Sequence, residues 1–540
     1  MKVFVPVGPS PGGEAASLRR RLDPIEGTVI GIIDNSMPNG NDFMDDVEAL
    51  LVKSHGVREV VRFRKQPGRE TPDEAMAAFV KQCGGLIVGM GNSGAPTSWC
   101  VRDSVRAARA GLPVVLVGTD EFREFAREES IAMGHADLPL VSVRHPFTQE
   151  TRDDVRAAAT KATLELVDAL HGATSQSAPA APSGTSFEPV EAGALIEVSD
   201  EPGEFNRYFF ERGWSDGLPI IPPSRELVDD MLRHTRRGRD EVVGRVAPYG
   251  LATVESVAVN AVMAGCRPEY LPVLLAATEA IGQPEFDLLF LQHTIHPTTT
   301  MLVLSGPVVE RLGVNGGANC FGPGAWANAT MGRALRLVTL TIGGGRPGAV
   351  DKSTQGQVGK FLMCIAENMA QSPWEPLHVE HGFAPDVSTV TVVAAKNPLS
   401  FTTHTQDVDD FLTIIANAMT GVTASEHRSG GGPMLVLSPE HAQMLAGNGV
   451  SKQEFKRRVW ETARLPLGRM SVKERARTQE ERRGDMGEFG PDTTLPPSKV
   501  PDDIIVLVAG GWGMLSSFIP CHAPLSWPVT RVVDDWTPPS

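Results

Sequence analysis

Thr28-Val29-Ile30-Gly31-Ile32-Ile33-Asp34-Asn35-Ser36 is the stretch that decides how the first third of the chain folds. Five of its first six residues are β-branched, and such side chains pack well on a pleated strand while losing rotamer freedom in a helix. Asp-Asn-Ser then supplies turn chemistry that stops the strand. Outward from it, apolar strand-like runs recur at 59–64, 85–90, 113–118 and 138–143, and amphipathic stretches lie between and after them at 43–55, 73–83, 99–110, 121–133 and 151–170. Short β-rich runs alternating with helices predict an α/β domain over 1–171, a flavodoxin-like parallel sheet with helices on both faces.

In such sheets ligands bind at the carboxyl ends of the strands. Two turns fall there. The first is Asp34-Asn35-Ser36; the second is Gly91-Asn92-Ser93-Gly94-Ala95-Pro96-Thr97-Ser98, which opens a helix with Thr97 or Ser98 as its N-cap. Unpaired N–H groups at a helix start favour an anion or carboxylate. Asp34, Asn35, Asn92, Gly94, Thr97 and Ser98 are therefore candidate substrate ligands, and Ser93 a candidate nucleophile. The plainer reading is that Gly, Asn and Pro only make the turn.

Residues 172–186, GATSQSAPAAPSGTS, read as a flexible linker. Beyond them, 187–540 reads as a larger mixed α/β domain. Helices are expected at 204–212, 225–234, 254–265, 271–281, 327–340, 356–369, 408–419, 439–445 and 452–463, with strands at 301–304, 389–394, 434–437 and 503–508. Residues 469–500, charged and then proline-rich, read as a long exposed excursion.

This domain holds a loop that brings bare backbone close to a ligand: Val314 to Arg333, VNGGANCFGPGAWANATMGR, with five glycines and Cys320 at its centre. Cys320 is the leading candidate nucleophile, needing a base and oxyanion donors; its plain alternative is a small apolar side chain under a loop. Asn328, Arg333 and Lys352 are candidate substrate ligands. His293 and His296 have His-x-x-His spacing but no third ligand nearby, so no metal is expected; His296 is read instead as an acid/base. Ser372-Pro373-Trp374-Glu375-Pro376-Leu377-His378 is a rigid turn in which Glu375 would orient His378. Cys521 and His522 are adjacent, point apart, and are not read as a dyad.

The chain has 540 residues, 41% hydrophobic and 21% charged, with a formal net charge of -15. No basic block suggests nucleic acid, and no apolar run approaches the ~20 residues that span a bilayer. Six cysteines without a CxxC pair suit a reducing cytoplasm. No particular cofactor is indicated, and a homo-oligomer is compatible with the length.

Ile33-Asp34-Asn35 with Gly91 to Trp99 resembles the UGSC family of (seleno)proteins, named for a selenocysteine-or-cysteine, Gly, Ser, Cys motif at a strand end. The larger half is similar to the domain that follows in long members, through Ser215-Asp216-Gly217-Leu218-Pro219, Asn260 to Tyr270, Cys320-Phe321-Gly322-Pro323-Gly324, Asn328-Ala329-Thr330, Arg346-Pro347-Gly348 and Ser372 to His378. The resemblance implies an enzyme with redox or thiol chemistry. Here the motif is altered to Ser93-Gly94-Ala95-Pro96; neither serine nor proline has a thiol cycle, so that turn cannot run one. Three readings follow. The first is an enzyme on a small anionic metabolite, a lyase or hydrolase using addition–elimination or acyl chemistry at the domain interface, with the Ser93 and Cys320 segments facing each other. The second is a thiol-linked oxidoreductase using other cysteines. The third is a non-catalytic small-ligand-binding protein.

Overall fold

A computed structural model of the chain describes residues 1–9, 20–65, 70–172, 191–248, 250–422, 427–428, 430–490, 492–522 and 525–534. Strands β1 (Val29–Asp34), β2 (Glu59–Arg64), β3 (Gly85–Gly91), β4 (Val114–Thr119) and β5 (Leu140–Val143) form one sheet in the order β2-β1-β3-β4-β5, every pair parallel. β1, β3 and β4 are buried along their whole length because helices cover both faces. α1 (Gly40–His55) and α5 (Arg152–Leu170) pack on one face. α2 (Asp73–Gln82), α3 (Gly94–Arg109) and α4 (Arg123–Ala132) pack on the other. This is the flavodoxin-like order, and its direction of winding reverses between β1 and β3, the switch point where such sheets hold ligands.

Most of the expected linker, from residue 173 on, lies outside the described residues. The first residues of the chain belong with the larger region: Lys2–Phe4 pairs antiparallel with Leu195–Glu197, and Phe4 and Val5 enter its core. That region contains α6 (Val254–Ala264), α7 (Leu271–Ile281), α8 (Leu288–His293), α9 (Trp326–Thr341), α10 (Val408–Val422), α11 (Pro439–Gly447) and α12 (Lys452–Thr462). Its two main sheets use β6 (Thr299–Ser305), β7 (Cys364–Ala366), β8 (Thr389–Ala395), β9 (Leu399–Thr402), β10 (Met434–Leu437), β11 (Ile505–Val508), β12 (Leu515–Ile519) and β13 (Val529–Val532). The first sheet runs β7-β6-β8-β13 and the second β11-β10-β12-β9.

Strand alternation stacks these sheets face to face. Leu302, Leu304, Val390 and Val392 turn toward α6, α7 and α9. Leu435, Leu437, Val506 and Val508 turn toward α10, α11 and α12. Met301, Val303 and Ile365 meet Met434, Val436 and Leu507 in one shared core between the sheets. The result is four layers: helices, sheet, sheet, helices.

The two sheets are copies of one unit. Each has a first strand paired parallel on one side and antiparallel on the other, with a fourth strand antiparallel beyond. Register makes Met301 the counterpart of Met434 and Val393 that of Ile519. The same five residues, Met-Leu-Val-Leu-Ser, stand at 301–305 and 434–438. Even a hydroxyl pair repeats: Thr391 to Thr530 at 2.9 Å in one sheet, Ser400 to Ser517 at 3.4 Å in the other. The fourth strands are exchanged. β9 follows β8 directly yet pairs in the second sheet, and β13 follows β12 yet returns to the first.

Two expectations fail. Residues 356–369 form a 3-10 turn (Val358–Lys360) and then β7, not a helix, because Gly356 and Gly359 interrupt the apolar run. Residues 469–500 are exposed over much of their length, as expected, but are not an irregular excursion. They hold a helix, Val472–Met486, whose Arg482 is 2% exposed and donates to the carbonyl of His427 at 2.6 Å.

Candidate functional site

The switch point is built by the residues that end β1 and β3. Asp34 is buried and accepts from Arg62 and from the Ser36 N–H at 2.9 Å, so its carboxylate is held inside the protein. Asn35 donates from Nδ2 to the Pro96 carbonyl at 3.2 Å. That bond fixes the amide orientation and leaves Oδ1 as a buried acceptor with no partner among the described residues. Asn92 Oδ1 and Thr97 Oγ1, from the other side of the turn, are likewise buried without a partner. Ser93, not Thr97 or Ser98, occupies the N-cap of α3, and it makes no capping bond.

The neighbouring first turn of α3 leads into an ion network. Ser98 donates to Glu129 Oε1 at 2.6 Å, and Arg102 Nε donates to the same oxygen at 3.0 Å. Arg102 Nη2 reaches across to both oxygens of Asp287, at 3.1 and 3.0 Å. Burial holds the Glu129 carboxyl above the ordinary range even with Arg102 beside it.

Asp287 opens α8, whose residues and those just beyond roof the switch point. An ideal Cβ on Gly94 would lie 2.6 Å from the His293 carbonyl oxygen and 3.0 Å from its carbon, so only glycine allows this approach. His293 is fully buried and stacks on Phe125 with ring centroids 3.8 Å apart. Lys352 of the larger region donates to Glu121 of the sheet domain at 2.8 Å. The substrate role expected of Lys352 gives way to this contact between domains.

Just past α8, His296 lies with its ring 5.1 Å from that of His522, and Phe290 stacks parallel on His522 at 5.1 Å. Ser353 donates to the His296 carbonyl at 2.6 Å. Burial, helped by the neighbouring Lys396 and by His296, holds the His522 imidazole well below its usual range. Nearby, Asp351 is gripped by Lys360 at 2.7 and 2.6 Å and faces Arg336 at 3.5 Å.

The remaining expected site residues stand elsewhere. Cys320 is 6% exposed and belongs to the core between the two sheets. Burial pushes its thiol up to about 11, against the pull of the Cys320 and Phe321 N–H groups. That is the opposite of an activated nucleophile. Asn328 is structural: its Nδ2 donates to the carbonyls of Asn315 at 2.9 Å and Cys364 at 3.1 Å, and its Oδ1 accepts from the Asn315 N–H at 2.8 Å, which ties the glycine-rich loop to β7. Arg333 is locked to Asp216 by two bonds, 2.8 and 2.9 Å, and is not offered to a ligand.

Glu375 is exposed and does not orient His378. The carboxyl coupled to His378 is Glu367, through Ser305. Ser305 Oγ lies 2.7 Å from His378 Nδ1 and 2.9 Å from Glu367 Oε2, and all three residues are 1% exposed. His378 Nε2 faces the Pro385 carbonyl at 3.3 Å, which can only accept. The network is sealed and internal. Among the described residues no group of three His, Cys, Asp or Glu side chains is arranged to hold a metal ion, and no helix is long and apolar enough to cross a membrane.

Phe290, Lys396 and Glu129 take part in these clusters without having been singled out by motif. The repeated Met-Leu-Val-Leu-Ser sequence marks the duplication, but it lies on the first strands and aligns Lys396 with His522 only through the strand register. Residues 2–172 match the UGSC family, to which this part of the chain belongs. No curated protein matches the chain.

Proposed function

We propose that the chain is an enzyme acting on a small anionic metabolite at the junction of the sheet's carboxyl edge and the 287–298 segment. The reaction class that fits is addition–elimination, with His296 moving the proton. One observation carries this reading: Asn35 Oδ1, Asn92 Oδ1 and Thr97 Oγ1 are buried and, among the described residues, unpartnered at the switch point, where the second domain closes over it. Each such atom costs about 1–3 kcal/mol unless something satisfies it. The two amide oxygens accept only, so the molecule that meets them carries hydroxyl or amino donors beside its anionic group. The start of α3, a 16-residue helix, favours the anionic end.

Proton transfer is favoured over a covalent thiol route by the state of the cysteines. Burial pushes Cys83 and Cys320 up to about 11 and Cys100 and Cys266 up to about 12. This also speaks against the thiol-linked oxidoreductase. Ser93 makes no hydrogen bond to a described basic group, which weighs against an acyl-enzyme.

The test is mass-spectrometric profiling of a metabolite extract incubated with the protein, His296→Ala and Asn92→Ala. Expected is consumption of an anionic metabolite by the wild type and loss of that consumption in His296→Ala at unchanged melting temperature. Equal consumption by both proteins rules out the proton-transfer role. No consumption by any of them, with a ligand-induced rise in melting temperature that Asn92→Ala loses, leaves a binding protein.

A further inference from the structure

The pseudo-twofold axis between the two sheets ends in a cluster whose main members the reading above does not use. At this end the copies cross-pair: Ala395 bridges Cys521, the Lys396 N–H donates to the Pro520 carbonyl at 2.8 Å, and the His522 N–H donates to the Ala394 carbonyl at 2.9 Å. The two bonds are images of each other. Lys396 and His522 are therefore equivalent positions of the duplicated unit, filled by an ammonium and an imidazole.

A duplicated scaffold places the same backbone twice around one point, and unlike side chains there make one asymmetric site. Both side chains are buried, Lys396 at 7% and His522 at 6% exposure. His522 is held between Phe290 and His296, yet its Nε2 is buried and meets no hydrogen-bond partner among the described residues. Gln357 donates to the Ala395 carbonyl at 3.3 Å, which brings the 351–361 loop over the same end. Lys396 and His296 surround the ring with positive potential, and the neutral imidazole retains one N–H. An ammonium and one neutral N–H match the two oxygens of a carboxylate. A carboxylate asks for no more than these groups, whereas a phosphate brings about two charges and more oxygens.

We propose that this axial end is a carboxylate-binding site, in which Lys396 pairs with the anion and His522, protonated at Nε2, donates to its second oxygen while Phe290 packs against the imidazole. It goes beyond the proposed function, whose anion lies at the start of α3, by adding a second anion-binding place, and rests on that reading for its link to His296 alone.

Calorimetric titration of the full chain with benzoate and with inorganic phosphate tests it. Benzoate should bind the wild type; Lys396→Met should weaken it by about tenfold or more, the loss of one charge-assisted contact. Lys396→Arg, which keeps the charge, should retain most of the affinity, and His522→Gln should fall between. Circular dichroism and melting temperature check that each variant is folded, and the arginine variant keeps the test open if methionine does not fold. Benzoate affinity unchanged in both Lys396→Met and His522→Gln overturns the site, as does no benzoate binding by the wild type at millimolar concentration. Phosphate that binds as tightly and competes overturns the carboxylate assignment. Lysine-dependent benzoate binding without any metabolite turnover sinks the proposed enzyme and leaves this site standing.

Discussion

Replacing Arg102 by methionine removes the guanidinium that serves both domains at once. Glu129, fully buried, then loses the cation at 3.0 Å, and Asp287 loses both its hydrogen bonds across the interface. A buried carboxylate left alone does not stay charged; it takes up a proton. This caps the cost. An unfolded glutamate ionises near 4.5, so at pH 7 the 2.5-unit gap corresponds to about 3.4 kcal/mol at ~1.36 kcal/mol per unit. The two lost bonds to partly exposed Asp287 add about 1 kcal/mol. The sign is definite. Glu129 in the variant has a raised pKa, so the folded state binds the extra proton and is penalised more as pH rises. At pH 5.5 the cap falls to about 1.4 kcal/mol. Hydrogen-exchange mass spectrometry of α3 and α8, corrected for intrinsic rates, should show both segments opening more easily at pH 7 and recovering much of the difference at pH 5.5. A destabilisation independent of pH, or growing on acidification, refutes the buried-charge argument. Unchanged protection of α8 refutes the claim that Arg102 holds the domains together.

Other consequences are simpler to test. Gly94→Ala drives a methyl group into the His293 carbonyl and should lower the melting temperature, whereas Gly203→Ala, with open space around its Cβ, should not. His441, 2% exposed, is held below its usual range by burial, which outweighs its bond to the Thr403 carbonyl. The unfolded chain takes a proton below about 6.5 and the folded one does not, so stability falls with pH there by about 1.4 kcal/mol per unit; in urea titrations the advantage of wild type over His441→Gln should shrink from pH 8 to pH 5.5, and a constant gap contradicts this. Iodoacetamide at pH 7.5 should leave Cys100 and Cys320 unmodified until denaturant is added; native labelling of Cys320 at the rate of a free thiol would revive it as a nucleophile.

The five-stranded domain was legible from local pattern because each strand and helix there carries its own period and its own stop. A parallel sheet covered on both faces writes itself as apolar runs between amphipathic helices. The turns after β1 and β3 were legible for the same reason, since the fold places strand ends at the ligand crevice whatever their side chains do. The second domain was harder. β7 has three residues and β9, β12 and β13 alternate weakly, so their pairing depends on partners more than 60 residues away. Cys320 looked catalytic because glycine-rich loops border clefts, but its side chain turns inward between the sheets.

By itself, then, the order of residues determined which segments are strands and helices in the first third, where its loops gather, and that Ser93 and Pro96 hold no thiol. Only the folded arrangement decided that Arg102 bridges to Asp287, that Glu367 rather than Glu375 reaches His378, and that Lys396 and His522 occupy one axis. The reason is range. Propensity and periodicity act over a few residues, whereas charge pairing, burial and strand exchange depend on distances in space that the chain sets only after both sheets have closed on their common core.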